Sequence, residues 1–232
     1  MKQNQSTMQP LGANKTLSFS DKYDETHARS YFAKHQDGFW RRLSNWRDQA
    51  IAKKALKLAG NPNSVLDMPC GTGRFWDLLA ADKNREIIAC DYSQDMIDIG
   101  LRFRDPATTR RIKTIQSSAF ALDLADEAVD NIFCIRLLHH IGRQDDRLTI
   151  LRELHRVTRS TVIISLWVDG NVKAWRRKKL ESKRAQREYQ NRFVLRQADI
   201  EREFGLAGFN IIASLDFLPK YAMWRTYVLE KR

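Results

Sequence analysis

The chain has 232 residues, 43% hydrophobic and 29% charged, enough for one sizeable soluble domain and unlike wholesale disorder, collagen or coiled coil. Forty lysines and arginines against 28 aspartates and glutamates leave a net charge of +12, which points to an anionic partner: nucleic acid, a phosphorylated small molecule or an anionic lipid surface. No apolar run reaches the roughly 18–20 residues of a membrane span, and Cys70, Cys90 and Cys134 form no C-x-x-C, so reduced thiols in a cytoplasmic protein fit better than disulfides or a metal site.

Residues 1–20 are polar and aperiodic and are expected to form a flexible lead-in, without the apolar core of a secretory signal. The remainder, 21–232, is expected to fold as one domain. From about 27 to 59 the pattern is helical, with Phe39, Trp40, Leu43, Trp46, Ile51 and Leu56 on an apolar face. The aromatic residues of this face read as core contacts rather than as a base-stacking platform. Gly60-Asn61-Pro62-Asn63 ends the helix.

Short apolar runs at 64–68, 86–90, 112–117, 129–138 and 161–168 then alternate with helical stretches at about 74–82, 93–104 and 145–157. Alternation of this kind indicates a parallel sheet covered on both faces. A further helix at 195–204 leads to two runs, 209–218 and 224–230, with no helix between them. Those two predict an antiparallel hairpin at a sheet edge.

The chemistry is concentrated in VLDMPCGTGRF, residues 65–75. A strand ends in Asp67, a turn carries Gly71 and Gly73, and a helix is expected to open at Arg74. Glycine lets backbone approach a ligand, and a helix N-terminus offers unpaired N–H groups. Eighteen residues after Gly73, Asp91 ends the next strand, where a carboxylate can accept hydrogen bonds from ribose hydroxyls. The third glycine of a dinucleotide fingerprint is replaced by Trp76, and the Gly-Lys-Ser/Thr of a phosphate loop is absent. Asp67 would repel a pyrophosphate but suits an amino group and a sulfonium. The ligand that fits is S-adenosylmethionine.

This stretch resembles motif I of the class I S-adenosylmethionine-dependent methyltransferases, in particular the small-molecule group that includes the ubiquinone/menaquinone-biosynthesis type. The resemblance runs from about residue 23 to 228. It implies an α/β, Rossmann-like, seven-stranded and mostly parallel sheet with helices on both faces and a C-terminal antiparallel hairpin. It further implies that Asp91 holds the ribose and that Tyr92 and Met96 flank the adenine. Ser117-Ser118-Ala119-Phe120 stands where the family usually has Gly-Asp-Ala, so Ser118 and Ala119 fall at the adenine. Residues 129–134 and the following Leu138-His139-His140 resemble the fourth strand and its turn, and Ala207-Gly208-Phe209 resembles the connection into the terminal hairpin. Two departures stand out. Pro69 replaces the first glycine of the loop, and Ser118 replaces the acid that normally receives the adenine amino group.

Each residue also has a plainer reading. Gly71 and Gly73 make a tight turn, Asp67 and Asp91 cap helices, and the cysteines are small buried hydrophobes. His139 and His140 follow strand four, where one can act as a general base on an acceptor or simply pack. Arg136 lines the cofactor pocket or holds a nearby carboxylate. Residues 173–192 carry nine basic residues and two acids, within a helical insertion at about 170–193. That insertion is a solvated helix or a lid over an acceptor.

The sequence thus predicts an enzyme that moves a methyl group from S-adenosylmethionine to a heteroatom of a small or lipid-linked anionic acceptor. The alternatives are an RNA methyltransferase that uses residues 173–192 on phosphates, or a non-catalytic binding module on the same fold.

Overall fold

In a computed structural model, the described residues are 38–181 and 191–232. The expected lead-in at 1–20, the first part of the N-terminal helix and the middle of the basic insertion lie outside them.

Alternate residues of the central strands point to opposite faces, and here both faces are apolar. Val65 and Leu66, adjacent on β1 (Ser64–Asp67), are each wholly buried. The same holds for Ile132 and Phe133 on β4 (Val129–Ile135), and for Val162, Ile163 and Ile164 on β5 (Thr158–Trp167). Strands buried on both sides belong in the middle of a helix-covered parallel sheet. One core cluster joins Leu66, Ile132 and Ile164 to Ile150 and Leu154 of α5 (Gln144–Val157) and to Phe204 of α7 (Gln197–Leu206). The other joins Val65, Phe133 and Ile163 to Ala55 and Leu56 of α1 (Phe39–Leu58) and to Trp76 and Leu79 of α2 (Trp76–Ala80).

The remaining elements are β2 (Glu86–Asp91), α3 (Gln94–Phe103), the short α4 (Pro106–Thr109), β3 (Ile112–Gln116), α6 (Val172–Glu181), β6 (Phe209–Asp216) and β7 (Trp224–Lys231). The seven strands lie in the order β3-β2-β1-β4-β5-β7-β6. Strands β1 to β5 pair in parallel, and β7 runs antiparallel to both β5 and β6. This is the Rossmann-like sheet and terminal hairpin expected from the sequence, with β7 inserted between β5 and β6. The chain turns from one half of the sheet to the other between β1 and β4, so loops after these strands diverge and leave a crevice.

Two of the boundaries that differ from expectation lie at that crevice. The helix expected from Arg74 starts at Trp76, because residues 71–75 are spent in turns with Gly71 at φ 54° and Gly73 at φ 70°. The run expected to extend over 129–138 stops at Ile135. Arg136 takes φ 67°, which is uncommon outside glycine, and Leu138–His140 make a single 3₁₀ turn.

Helices α5 and α7 are joined by a buried ion pair. The Arg147 guanidinium donates Nε to Glu203 Oε2 at 2.8 Å and Nη2 to Oε1 at 2.6 Å. Its Nη1 donates to the carbonyls of Ile141 and Gly142, the residues that follow His140. The pair therefore pins the turn after β4 to the helical layer.

Candidate active site

Asp67 ends β1 at the crevice and is 2% exposed. Among the described residues its Oδ2 has no hydrogen-bond partner. Burial, reinforced by the neighbouring Asp91 charge, holds its carboxyl well above the usual carboxylate range. The Trp76 indole offsets part of this without reaching hydrogen-bond geometry, since Trp76 Nε1 is itself unpartnered. A buried carboxylate oxygen with no donor is costly unless something else satisfies it. A cationic or N–H-bearing ligand would do so.

The loop between β1 and α2 is tied to the end of β2. The Gly71 N–H donates to Asp91 Oδ2 at 2.8 Å, and the Ser93 N–H donates to Asp91 Oδ1 at 3.0 Å. Asp91 thus fixes the glycine loop and the start of α3 at once. Burial raises its pKa, and the backbone N–H groups of Ser93, Gly71 and Tyr92 pull it back.

The two glycines have different reasons. A Cβ on Gly71 would meet only Met96 Cε, at 3.7 Å, so the surface above it is open for a ligand. A Cβ on Gly73 would lie 2.4 Å from the Trp76 indole. On the other side of that indole, a Cβ on Gly100 would lie 2.8 Å away. Trp76 therefore fills the space below the loop, between two glycines. Packing against Trp76 and positive φ both demand glycine at position 73.

Pro69 follows a cis peptide bond from Met68. Met96 is buried beneath Gly71, with its N–H capped by Ser93 Oγ at 3.4 Å. Tyr92 is exposed at the rim, its carbonyl held by Gln116 Nε2 at 3.0 Å. Ser118 Oγ accepts from the Phe120 N–H at 3.2 Å, and Ala119 is half-buried beside it. These residues line the β1–β2–β3 side of the crevice. Cys70, Cys90 and Cys134 are free and buried, and burial pushes the Cys90 thiol up to about 12.

The β4–β5–β7 side is built differently. Of the two readings of Arg136, the structure shows the held carboxylate: Nη2 lies 2.6 Å from Asp48 Oδ2, on α1. The same oxygen is 2.6 Å from Arg74 Nη2, while Arg74 Nε donates to Asn45 Oδ1 at 2.9 Å. Helix α1 is thereby clamped to the glycine loop and to the β4 turn together. The Arg136 guanidinium also lies over the Trp224 ring, 4.8 Å from its centroid. These groups border a narrow cleft between α1 and the sheet, walled by Phe75, Ile135, Trp224 and the hydroxyls of Ser165 and Thr226.

His139 and His140 stand just beyond. The His139 ring is buried among His140, Trp167 and Trp224, with centroids 4.0, 5.0 and 4.8 Å away. Burial, aided by His140 and by Arg192, Arg136 and Arg177, pushes its pKa down to about 2. Such a ring is a weak base. His140 is half-buried, and its Nδ1 lies 2.6 Å from the Asn191 carbonyl oxygen. A carbonyl only accepts, so Nδ1 carries the proton and the lone pair is on Nε2. Burial lowers the His140 pKa, and the Asn191 carbonyl partly restores it. From the basic insertion, Arg177 lies over the Trp167 ring at 4.9 Å and Arg192 at 5.9 Å.

Sequence reasoning passed over Asp48, Trp167 and Trp224. Nothing local marks Asp48 on a helix rich in charge, and Trp167 closes β5 and Trp224 opens β7 as ordinary apolar residues would.

Comparison with known proteins gives a consistent pattern. Residues 65–161 match a family described as a methyltransferase domain. The chain is 27% identical over 132 residues to a tRNA (carboxymethyluridine(34)-5-O)-methyltransferase of Mus musculus, covering 56% of this chain and 18% of that protein. It is 27% identical over 139 residues to the demethylmenaquinone methyltransferase of Bacillus velezensis, covering 59% of this chain and 54% of that protein. The chain thus spans at most about half of each of these relatives. The magnesium protoporphyrin IX methyltransferase of Synechocystis PCC 6803, solved with bound SAH, superposes with a TM-score of 0.73 at 16% identity. That superposition covers 91% of this chain and 97% of the other, and shows a shared fold.

Proposed function

We propose that this chain, which carries a class I S-adenosylmethionine-dependent methyltransferase domain, transfers a methyl group to a heteroatom of a small anionic acceptor. The observation that carries the cofactor half is Asp67: a buried carboxylate oxygen without a donor, next to a glycine loop with open space above Gly71. A cation with N–H groups satisfies both. Asp67 would hold the amino acid end, Asp91 the ribose, and Tyr92, Met96, Ser118 and Ala119 the adenine. When bound, S-adenosylmethionine supplies a methyl carbon open to in-line attack.

The chain's own contribution is positioning, exclusion of water and one proton transfer. Helix α1 covers the crevice through the Asp48 clamp. The acceptor enters at the cleft beside Arg136 and Trp224, where two guanidinium groups share the single Asp48 carboxylate and leave a net positive charge. His140 Nε2 takes the proton that the acceptor heteroatom loses as the methyl is gained. His139, with its depressed pKa, keeps a neutral ring in the wall beside it.

The test is transfer of labelled methyl from S-adenosylmethionine into a cell extract separated into small molecules, lipid, RNA and protein. Label in the small-molecule or lipid fraction is expected, and label in RNA alone would replace the acceptor class with the one acted on by the tRNA-modifying relative. With the acceptor known, His140→Ala should lower turnover by about 10²–10⁴ with cofactor affinity unchanged. A loss under about threefold would leave positioning as the whole mechanism.

A further inference from the structure

We propose that α6, with the β6–β7 turn beside it, is a docking face for an anionic lipid surface. This inference stands apart from the methyl-transfer reading. The helix is inside out for an ordinary surface helix, which buries its large apolar residues. Its one buried residue is the small Ala174. Trp175 is 63% exposed, Leu180 55% and Val172 40%. At 3.6 residues per turn, Trp175, Lys179, Val172, Arg176 and Leu180 fall within about 140° of one another, opposite Ala174.

The neighbouring turn widens the patch. The N–H groups of Val172 and Lys173 donate to the carbonyls of Lys220 and Tyr221, each at 3.0 Å. Tyr221 and Leu218 are both exposed there, and the Lys173 ammonium lies 5.4 Å from the Tyr221 ring centroid. Lys173, Arg176, Lys178, Lys179 and Lys220 are exposed around these apolar groups. The acid of α6, Glu181, is held by Arg177 at 2.7 Å.

Charge and chemistry together select the partner. Tryptophan and tyrosine sit well at headgroup level, leucine and valine enter the acyl boundary, and the cations attract anionic headgroups. Val172 and Leu180 offer nothing to a phosphate or a base edge, so an RNA footprint would leave them unexplained. Among the described residues no helix is long and apolar enough to cross a membrane, so contact would be peripheral. Arg177 links the face to Trp167, so docking would bring the end of the sheet that carries His139 and His140 close to the lipid.

The full chain is sedimented with vesicles of phosphatidylglycerol in phosphatidylcholine, with phosphatidylcholine vesicles alone, and with tRNA in place of vesicles. Binding to the mixed vesicles only, weakened by salt, is expected. Trp175→Ala with Leu180→Ser should lower the partition by more than about tenfold. Arg176→Ser with Lys179→Ser should do the same. Circular dichroism on both variants checks the fold, which exposed positions should not disturb. Absence of binding to mixed vesicles would overturn the proposal. So would binding that survives loss of Trp175 and Leu180, or tRNA retention that depends on the cations alone. Calorimetry with S-adenosylmethionine on the same samples reads the cofactor site separately, and its failure would count against the methyl-transfer reading only.

Discussion

Along the same edge of the sheet, the ends of β1 and β2 and the ends of β4 and β5 with the start of β7 are built by opposite strategies. At β1 and β2 the groups on offer are backbone and carboxylate: Asp67 and Asp91 end their strands, and Asp91 accepts from the N–H groups of Gly71 and Ser93. At β4, β5 and β7 they are side chains brought from far apart. Asp48 meets Arg136 across 88 positions, and Trp167 pairs with Trp224 across the antiparallel strands. The first half presents negative charge with unsatisfied acceptors, and the second presents guanidinium groups over aromatic rings. A cofactor carrying positive charge and an acceptor carrying negative charge would sort themselves between two such halves by electrostatics alone.

The largest effect should come from freeing the turn after β4 from the helical layer that holds it. Glu203→Ala leaves Arg147 buried without its carboxylate and should destabilise the fold by about 3–5 kcal/mol. Denaturant titration should show a lower midpoint with unchanged slope. Because Arg147 also holds the carbonyls of Ile141 and Gly142, the β4 turn should loosen while S-adenosylmethionine affinity stays within about twofold below the transition. An equal loss of cofactor affinity would mean that the two halves form a single unit.

Next in size is Asp91→Ala. Each charge-assisted hydrogen bond is worth about 1.5–3 kcal/mol, so calorimetry should show affinity for S-adenosylmethionine falling at least tenfold. Part of that fall is indirect, since Gly71 and Ser93 lose their acceptor as well. Ser93→Ala leaves the carboxylate in place and should cost far less. Unchanged affinity in Asp91→Ala would remove this residue from the cofactor set.

The same contrast explains what could be read in advance. Strand–helix alternation gave the sheet because β1, β4 and β5 are apolar on both faces, a pattern few other arrangements tolerate. Asp67 and Asp91 stood out as candidates because they end strands, and Gly71 because it lies in the turn that follows β1. Gly73 was legible as a turn, but its partner Trp76 was noticed only as a missing glycine, and the indole's place between Gly73 and Gly100 needs a contact between α2 and α3. The strand drawn through 138 failed at Arg136, because a left-handed residue other than glycine leaves no mark in composition. Asp48, Trp167 and Trp224 act through tertiary contacts that no local pattern encodes.

The smallest expected effect gives the sharpest sign. Asp67 is protonated more readily in the folded chain than in the unfolded one, where a free aspartate titrates near 3.9, because burial and then Asp91 oppose its ionisation. Between those two pKa values the native state keeps a proton that the unfolded state has released. Stability of the ligand-free protein therefore falls as pH rises through that window and levels off above it. Asp67→Asn removes this contribution and leaves the smaller one from Asp91, whose pKa is also raised. The variant should melt higher than the parent above the window, by about 2–4 °C for each kcal/mol released, and the two should converge in acid. In the same preparation, affinity for S-adenosylmethionine should fall, since the carboxylate that balances a cation is gone. Gain of stability with loss of binding marks a group kept against the fold's interest for a ligand. A variant that loses both would make Asp67 a structural residue, and one that changes neither would show that its charge is already satisfied within the chain.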